Sequence, residues 1–413
     1  MRVLVYPNNI GTIGGSQINA IDLAATMADA GHDVLVYGVD GILTPYIKEK
    51  GLPFLPAREL RYRPAVSRIT QLLKVTRQKK IDIIHAYEWP ACLDAYFGAH
   101  LVGRVPLLCT VLSMDVPALV PKSVPLVLGT EQLGDRARQS RDHVSVVEPP
   151  IDVEGDHPGI DGSEFRSAHQ VAEDEVLIVT VSRLSIELKL DALMNAIDAA
   201  DLLAESHKVR LLIVGDGEAR DQLDERATRV NEHHGREVVT LAGPTMNPGP
   251  AYAAADVVVG MGSSALRALS IGKPVVVQGE EGFSLPFRPE DLDTFLWQGF
   301  WGIGNGDDGA QRLADYLLPL VIDSELRSSL GVYGRDVVVE RFSISHAATR
   351  IEELYTQTIR ESTGLGWRVG EASTTAIRAL RVEYDSHLPS VKRARATEKA
   401  ARLGMASQPS TPR

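Results

Sequence analysis

The chain has 413 residues, enough for two domains, and at 44% hydrophobic, 23% charged and 6% aromatic it has the make-up of an ordinary soluble globular protein. A formal net charge of −11 argues against a general nucleic-acid surface. Two cysteines, Cys92 and Cys109, are too few for a disulfide framework or a Cys-rich metal site, and both stand among apolar residues, as buried thiols do.

No apolar run approaches the roughly 18 residues of a membrane span. The N-terminal MRVLVYPNN lacks the longer core of a signal peptide and reads as a first strand, so a cytoplasmic protein is expected. Val3 to Tyr6 is that strand. A loop from Pro7 ends in Gly14 and Gly15, and Ile18 to Ala30 follows as an amphipathic helix before the strand Val34 to Tyr37. This βαβ unit lacks the GxGxxG fingerprint. Its glycine pair suits either a close approach of backbone to a ligand or a loop that needs positive φ.

Phe54 to Pro64 reads as a basic loop, with Arg58, Arg61 and Arg63, before a helix from Ala65 to Gln78. The strand Ile81 to His85 follows, expected to end on His85, with Glu88 and Trp89 just beyond. Ligands of open α/β sheets bind past the carboxyl ends of strands, so these residues, and Asp115 after the strand Pro106 to Val111, are placed where an acceptor would sit. A packed histidine is the competing reading of His85. Strands Val124 to Gly129 and Val144 to Val147 complete a parallel-sheet domain over residues 1–150.

Glu148 to Gly162, rich in Pro, Gly and Asp, reads as a linker. The βα pattern then restarts over residues 163–342. Val176 to Val181 leads through Arg183 and Lys189 into a helix, Val209 to Val214 ends in Gly215, and Val238 to Ala242 ends in Gly243. The segment DVVVGMGSSALRALSIGKPVVVQG, Asp256 to Gly279, reads as strand, glycine turn, helix capped by Ser263 or Ser264, and strand. A glycine turn at a helix N-terminus directs backbone N–H groups at anions, so Gly262, Ser263 and Ser264 suit a diphosphate; an ordinary βαβ connection has the same letters.

From Gly279 to Trp301 the chain reads as irregular. The GNGDDG of Gly304 to Gly309 matches GxGxxG by letter only, since Asp307 and Asp308 would repel phosphate and suit a helix cap; Asp291 and Asp293 read as capping residues too. His233 and His234 lack ligand spacing, and no metal site is expected. A helix over residues 343–360 closes the fold. Residues 361–413 read as a partly helical, partly disordered tail, basic from Lys392 to Arg402, with a membrane surface or a partner as its alternative contacts.

Several of these segments together resemble the family 4 glycosyltransferases of GT-B fold. GGSQINAIDLAATMADAGHDVLVYG resembles their glycine loop and first helix, and IDIIHAYEW their DIIHxH strand end. VSRLSIELKLDALMNAI resembles their GRLxxxKGxxxLxxA segment. LLIVGDG, VVTLAGP, AYAAADVVV, ALSIGKPVVV and RFSISHAATRIEELY follow in the family's order over residues 1–360. The resemblance implies two tandem Rossmann-like domains facing a cleft, the first for the acceptor and the second for the donor. It implies hexosyl transfer, with retention at the anomeric carbon, from a UDP- or GDP-linked sugar to a sugar, lipid or small-molecule acceptor.

Arg183 and Lys189 match the pair that holds the donor diphosphate, with Gly14 and Gly15 facing it and His85 near the sugar or acceptor. Two cations and a helix N-terminus neutralise a diphosphate and the charge that builds on the leaving nucleotide, so neither metal nor cofactor is implied. This chain departs from the family where a pair of glutamates is usual: Val259 and Arg267 stand there, and TVLSMD lacks the family's histidine. Arginine only donates, so Arg267 cannot accept from a ribose hydroxyl; it suits a phosphate, or a carboxylate such as Glu280 or Glu281. Three readings fit: a working transferase, a non-catalytic GT-B-like protein that assists another transferase, and a GT-B enzyme of other chemistry such as a phosphorylase or an epimerase.

Overall fold

The computed structural model describes residues 1–60, 65–113, 115–187, 189–361 and 368–387. They divide into two compact units, one built on Met1–Pro150 and the chain from Phe342, the other on Ile151–Arg341.

The first unit is a seven-stranded sheet: β1 (Arg2–Tyr6), β2 (Asp33–Val39), β3 (Phe54–Ala57), β4 (Ile83–Tyr87), β5 (Leu107–Val111), β6 (Leu126–Leu128) and β7 (Val144–Val146). Its order is β3-β2-β1-β4-β5-β6-β7, parallel throughout. The central strands are near-continuous apolar runs because helices cover both faces. One face is covered by the helix Gly15–Asp29, through Ile21, Leu23, Ala24 and Met27, and by the helix Ile344–Glu361, through Ala347, Ile351, Leu354 and Tyr355. Each such large apolar side chain contributes about 1.5–3 kcal/mol on full burial.

Two expectations change here. Phe54–Ala57 is an edge strand, where Pro56 is tolerated because an edge residue needs no second ladder partner. And β4 runs on to Tyr87, so His85 lies inside the strand and Glu88 is the first residue past it. Within the segment expected as a tail, Arg368–His387 is a helix. It is held to this unit by Ala379, packed with Leu93 and Leu119, and by Glu371, whose carboxylate accepts from the Ser123 amide at 3.1 Å and the Tyr96 hydroxyl at 3.4 Å. Arg61, Arg63 and the basic stretch Lys392 to Arg402 lie outside the described residues.

The second unit holds β8 (Val176–Val181), β9 (Val209–Val214), β10 (Val239–Gly243), β11 (Val257–Gly260), β12 (Val275–Gln278) and β13 (Ser284–Pro286). Their order is β10-β9-β8-β11-β12-β13, parallel except for the β12–β13 pair. Its core joins the inward residues of β8, β9 and β11 to the helices Leu190–Ala204 and Gly309–Ile322. The stretch expected as irregular after Gly279 contains β13 and the helix Leu292–Gln298.

In both units the chain winds one way from a central strand and then returns to its other side. The order therefore reverses between β1 and β4 in the first unit and between β8 and β11 in the second. Loops leaving the carboxyl ends of such strand pairs diverge and leave a crevice. Among the described residues, no helix is long and apolar enough to cross a membrane.

Candidate functional site

In the first unit, β1 ends at Tyr6 and its loop runs to Gly14, which precedes the helix Gly15–Asp29 with an extended backbone, φ −156°. Positive φ is therefore not what Gly14 supplies, and Gly15 is the first helical residue. β4 delivers Glu88 to the same reversal point. Glu88 is buried and left-handed, with φ 65°. Its carboxylate accepts from the amides of Leu112 at 2.9 Å and Ser113 at 3.2 Å, and from the hydroxyls of Ser113 at 2.9 Å and Ser16 at 3.3 Å. Glu88 thus fastens the end of β4 to the loop after β5 and to the first turn of the helix Gly15–Asp29.

Trp89 is half-buried against the core beneath. Asp115 is exposed, and its carboxylate accepts from the Val116 amide at 2.8 Å.

His85 corrects an expectation. It is 0% exposed, with Nδ1 2.8 Å from the Tyr355 hydroxyl and Nε2 2.7 Å from Thr110 Oγ1. Burial pushes its imidazole down to about 3, so it is neutral at physiological pH. A ring with both nitrogens occupied inside the core is not placed to touch a substrate.

In the second unit, the loop after β8 carries Arg183, exposed, and Lys189, half-buried at the start of the helix Leu190–Ala204. Desolvation first, and then the Arg183 charge, lower Lys189 to about 8, with Glu280 opposing both. The cationic neighbour adds to the cost of keeping Lys189 charged, and Glu280 offsets only part of that cost. Arg183, Leu184, Ser185, Glu187, Gly217 and Glu218 line a cavity of about 410 Å³. A larger groove, about 530 Å³, lies along the helix Ile344–Glu361 and touches none of the expected residues.

Gly215 and Gly243 act through the backbone. The Gly215 amide donates to the Gly243 carbonyl at 2.8 Å, and the Leu184 amide to the Asp216 carbonyl at 2.9 Å. A Cβ on Gly215 would fall 1.8 Å from the Ser182 carbonyl oxygen, and one on Gly217 2.4 Å from that of Leu184. These glycines let the loop after β9 press against the loop that carries Arg183.

Across the reversal point, β11 ends at Gly260 and Gly262 turns the chain with φ 59° into the helix Ser263–Ser270. The cap is Gly262 itself, with no side-chain bond, rather than Ser263 or Ser264. Ser264 instead donates to the carbonyl of Val181 at 2.8 Å and accepts from the Tyr252 hydroxyl at 3.0 Å. That bond fixes the helix start beside the end of β8, next to the Arg183 loop. The first-turn amides, Ser263's among them, precede the first intrahelical bonds. Two cations on the loop after β8, and a glycine turn and helix N-terminus after the neighbouring β11, are features that suit a polyanion, though the cavity at Arg183 includes neither Lys189 nor the Gly262 turn.

Arg267, in the same helix, pairs with Asp156 rather than Glu280 or Glu281, through Nε–Oδ2 at 2.6 Å and Nη2–Oδ1 at 2.9 Å. Ser270 and Arg335 both donate to the Asp156 carbonyl, at 2.6 and 3.0 Å. Asp156 and Arg335 escape sequence reasoning because Asp156 sits in a stretch with linker composition. Asp291 and Asp308 do stand at the N-cap positions of the helices Leu292–Gln298 and Gly309–Ile322, but neither side chain makes a cap bond; Asp291 accepts from Arg288 at 2.9 Å instead.

Two sheets, one parallel and one parallel but for its edge pair, each reversing at its centre and backed by helices, define the two-domain α/β architecture called GT-B, and solved structures of that fold superpose on the chain. A glycosyltransferase of Rickettsia africae aligns with TM-score 0.70 and 14% identity over 87% of this chain and 99% of that one. HepE of Anabaena, solved with UDP-glucose, aligns with TM-score 0.68 and 18% identity over 86% of this chain and 100% of that one.

The family models carry the resemblance beyond fold. The Glycosyltransferase Family 4 model matches residues 13–126, in the first unit, and the Glycosyl transferases group 1 model matches residues 175–289, in the second. Both units thus carry glycosyltransferase family signatures, and the resemblance to family 4 glycosyltransferases holds. An uncharacterized glycosyltransferase of Methanocaldococcus jannaschii is 26% identical over 71% of this chain and 85% of its own length. The N-acetyl-alpha-D-glucosaminyl L-malate synthase of Bacillus anthracis is 21% identical over 87% and 97%.

Proposed function

We propose that the chain is a cytoplasmic hexosyltransferase that takes its sugar from a UDP- or GDP-linked donor and transfers it with retention at the anomeric carbon. The observation that supports this reading is the bond from the Ser264 hydroxyl to the Val181 carbonyl, which sets the start of the helix Ser263–Ser270 beside the strand end that leads to Arg183 and Lys189. Lys189 is depressed to about 8 by burial and by its cationic neighbour, a cost that a bound diphosphate would relieve. The same charges would stabilise the departing nucleotide as the glycosidic bond to its phosphate breaks, so the diphosphate step needs no metal. That HepE of Anabaena was solved with UDP and with UDP-glucose supports a nucleotide-sugar donor. The first unit, with Glu88, Trp89 and Asp115 at the ends of β4 and β5, would serve the sugar, lipid or small-molecule acceptor. A membrane surface met by the basic tail would suit a lipid acceptor.

A second reading rests on Arg267. Its guanidinium is committed to Asp156 where the family usually has a carboxylate, which fits a protein that keeps the fold and assists another transferase without transferring sugar itself.

Thermal-shift titration with UDP, GDP and ADP separates these readings, because a ligand that binds only the folded state raises its melting temperature. A shift with UDP or GDP, weakened more than tenfold by Arg183→Ala, is the expected result. No shift with any nucleotide would leave only the assisting role.

A further inference from the structure

Asp201, His233 and His234 converge on the second unit, away from the anion site. Asp201 lies near the end of the helix Leu190–Ala204, and the two histidines are the last residues of the helix Arg220–His234. Twelve residues of helix separate Lys189 from Asp201, roughly 18 Å along the axis, so this cluster is a separate site. Adjacent residues of a helix normally point about 100° apart, which is why a His–His pair lacks ligand spacing in sequence. Here the helix stops at His234, with Gly235 left-handed, and both rings turn to one carboxylate. His233 Nδ1 is 3.1 Å and His234 Nε2 2.8 Å from the same oxygen, Asp201 Oδ1.

From this geometry we propose a d-block divalent cation site, of the zinc class, that clamps the two helices together through His233 Nδ1, His234 Nε2 and Asp201 Oδ1. Two imidazoles and one carboxylate are a donor set that zinc takes, with water completing a tetrahedron whose edges are about 3.3 Å. The three atoms lie within 4.8 Å of one another, so small side-chain movements close them on an ion.

The surroundings favour a cation. Glu205 lies 3.7 Å from His233 Nε2, beyond hydrogen-bond distance, and adds negative charge on the far side of that ring. The carbonyl end of the helix Arg220–His234 adds negative potential. Arg226 is the opposing charge, but it approaches Asp201 through Oδ2, at 3.4 Å, and is held by Asp198 at 2.6 Å, leaving Oδ1 on the histidine side. Among the described residues, this is the single cluster of three such side chains.

The test is titration of the full chain, free of any affinity tag, with Co²⁺ followed by visible absorption and with Zn²⁺ by calorimetry. One equivalent should bind, with an absorption of tetrahedral intensity. His234→Ala should weaken binding at least tenfold and Glu205→Gln by a smaller factor, while His346→Ala, an exposed control, should leave it unchanged. Glu205 is exposed and His234 is largely covered, both at helix ends, and far-ultraviolet circular dichroism can confirm that the variants remain folded. Absence of saturable binding, or equal affinity in wild type and His234→Ala, would overturn the proposal.

Discussion

Arg267 and Asp156 meet in a two-pronged ion pair that ties the helix Ser263–Ser270 to the segment just after the passage between units. A fork of this kind is the stronger class of charged hydrogen bond, and Asp156 is 5% exposed. Arg267→Ala should lower the unfolding free energy by about 1–2 kcal/mol, less than a fully buried pair because the arginine side is partly hydrated. Arg267→Glu, which restores the residue type usual in the family, should cost more than alanine because it sets two carboxylates together. Urea denaturation with an unchanged m-value would show both effects. A glutamate variant as stable as wild type would mean that Asp156 has another partner in solution.

His85→Phe should cost about 2–4 kcal/mol, because it strands the Tyr355 and Thr110 hydroxyls in the core, yet leave nucleotide affinity unchanged. Its titration adds a pH signature. The folded imidazole is held near 3 by burial and the unfolded one titrates near 6.5, so between these values only the unfolded chain takes up the proton. The His85 contribution is therefore complete above pH 6.5 and declines as pH falls toward 3, by about 2 kcal/mol from pH 6.5 to pH 5. His85→Asn should lack that part of the acid limb in denaturation series run at each pH.

His85 also shows where the sequence stops being informative. Strand identity is plain in IDIIHAYEW, but its end is not, and a shift of two residues moves His85 from a strand terminus into the core and places Glu88 at the terminus. The two βα halves and the glycine turn at Gly262 are legible because apolar periodicity and glycine turns are local signals. The partners that give these residues their roles are not local. Asp156 reaches Arg267 across 111 positions and Tyr355 reaches His85 across 270, distances over which composition carries no signal. The same holds for Asp201 and the histidine pair: each helix reads correctly alone, and only packing brings the three donors together.

Lys189 should make diphosphate affinity pH-dependent on the alkaline side. With the free lysine held near 8 and the bound form requiring its charge, UDP affinity should be flat below pH 8 and fall by up to tenfold per unit above it. Lys189→Arg, charged throughout, should remove that decline. Folding stability should move the opposite way: between pH 8 and about 10.4 the unfolded lysine retains a proton that the folded one has lost, so stability rises with pH there. Calorimetric titrations between pH 7 and 9.5 test the binding limb, and a flat profile in wild type would remove Lys189 from the diphosphate site.

Glu88 allows a substitution experiment whose usual order should invert. A left-handed backbone costs a residue with Cβ about 1–2 kcal/mol, and Glu88 has φ 65°. The carboxylate offsets that strain by accepting from two amides and a hydroxyl of the loop after β5 and from the Ser16 hydroxyl in the first turn of the helix Gly15–Asp29. Glu88→Ala and Glu88→Gly both lose the carboxylate, but glycine alone also loses the strain. At most positions alanine is the more stable of the two, because glycine gives the unfolded chain more freedom. Here Glu88→Gly should be more stable than Glu88→Ala by about 1 kcal/mol, with both below wild type. Glu88→Gln, which keeps one acceptor oxygen, should lie between wild type and alanine. If alanine equals or exceeds glycine in urea denaturation, Glu88 does not hold the left-handed turn that positions these segments.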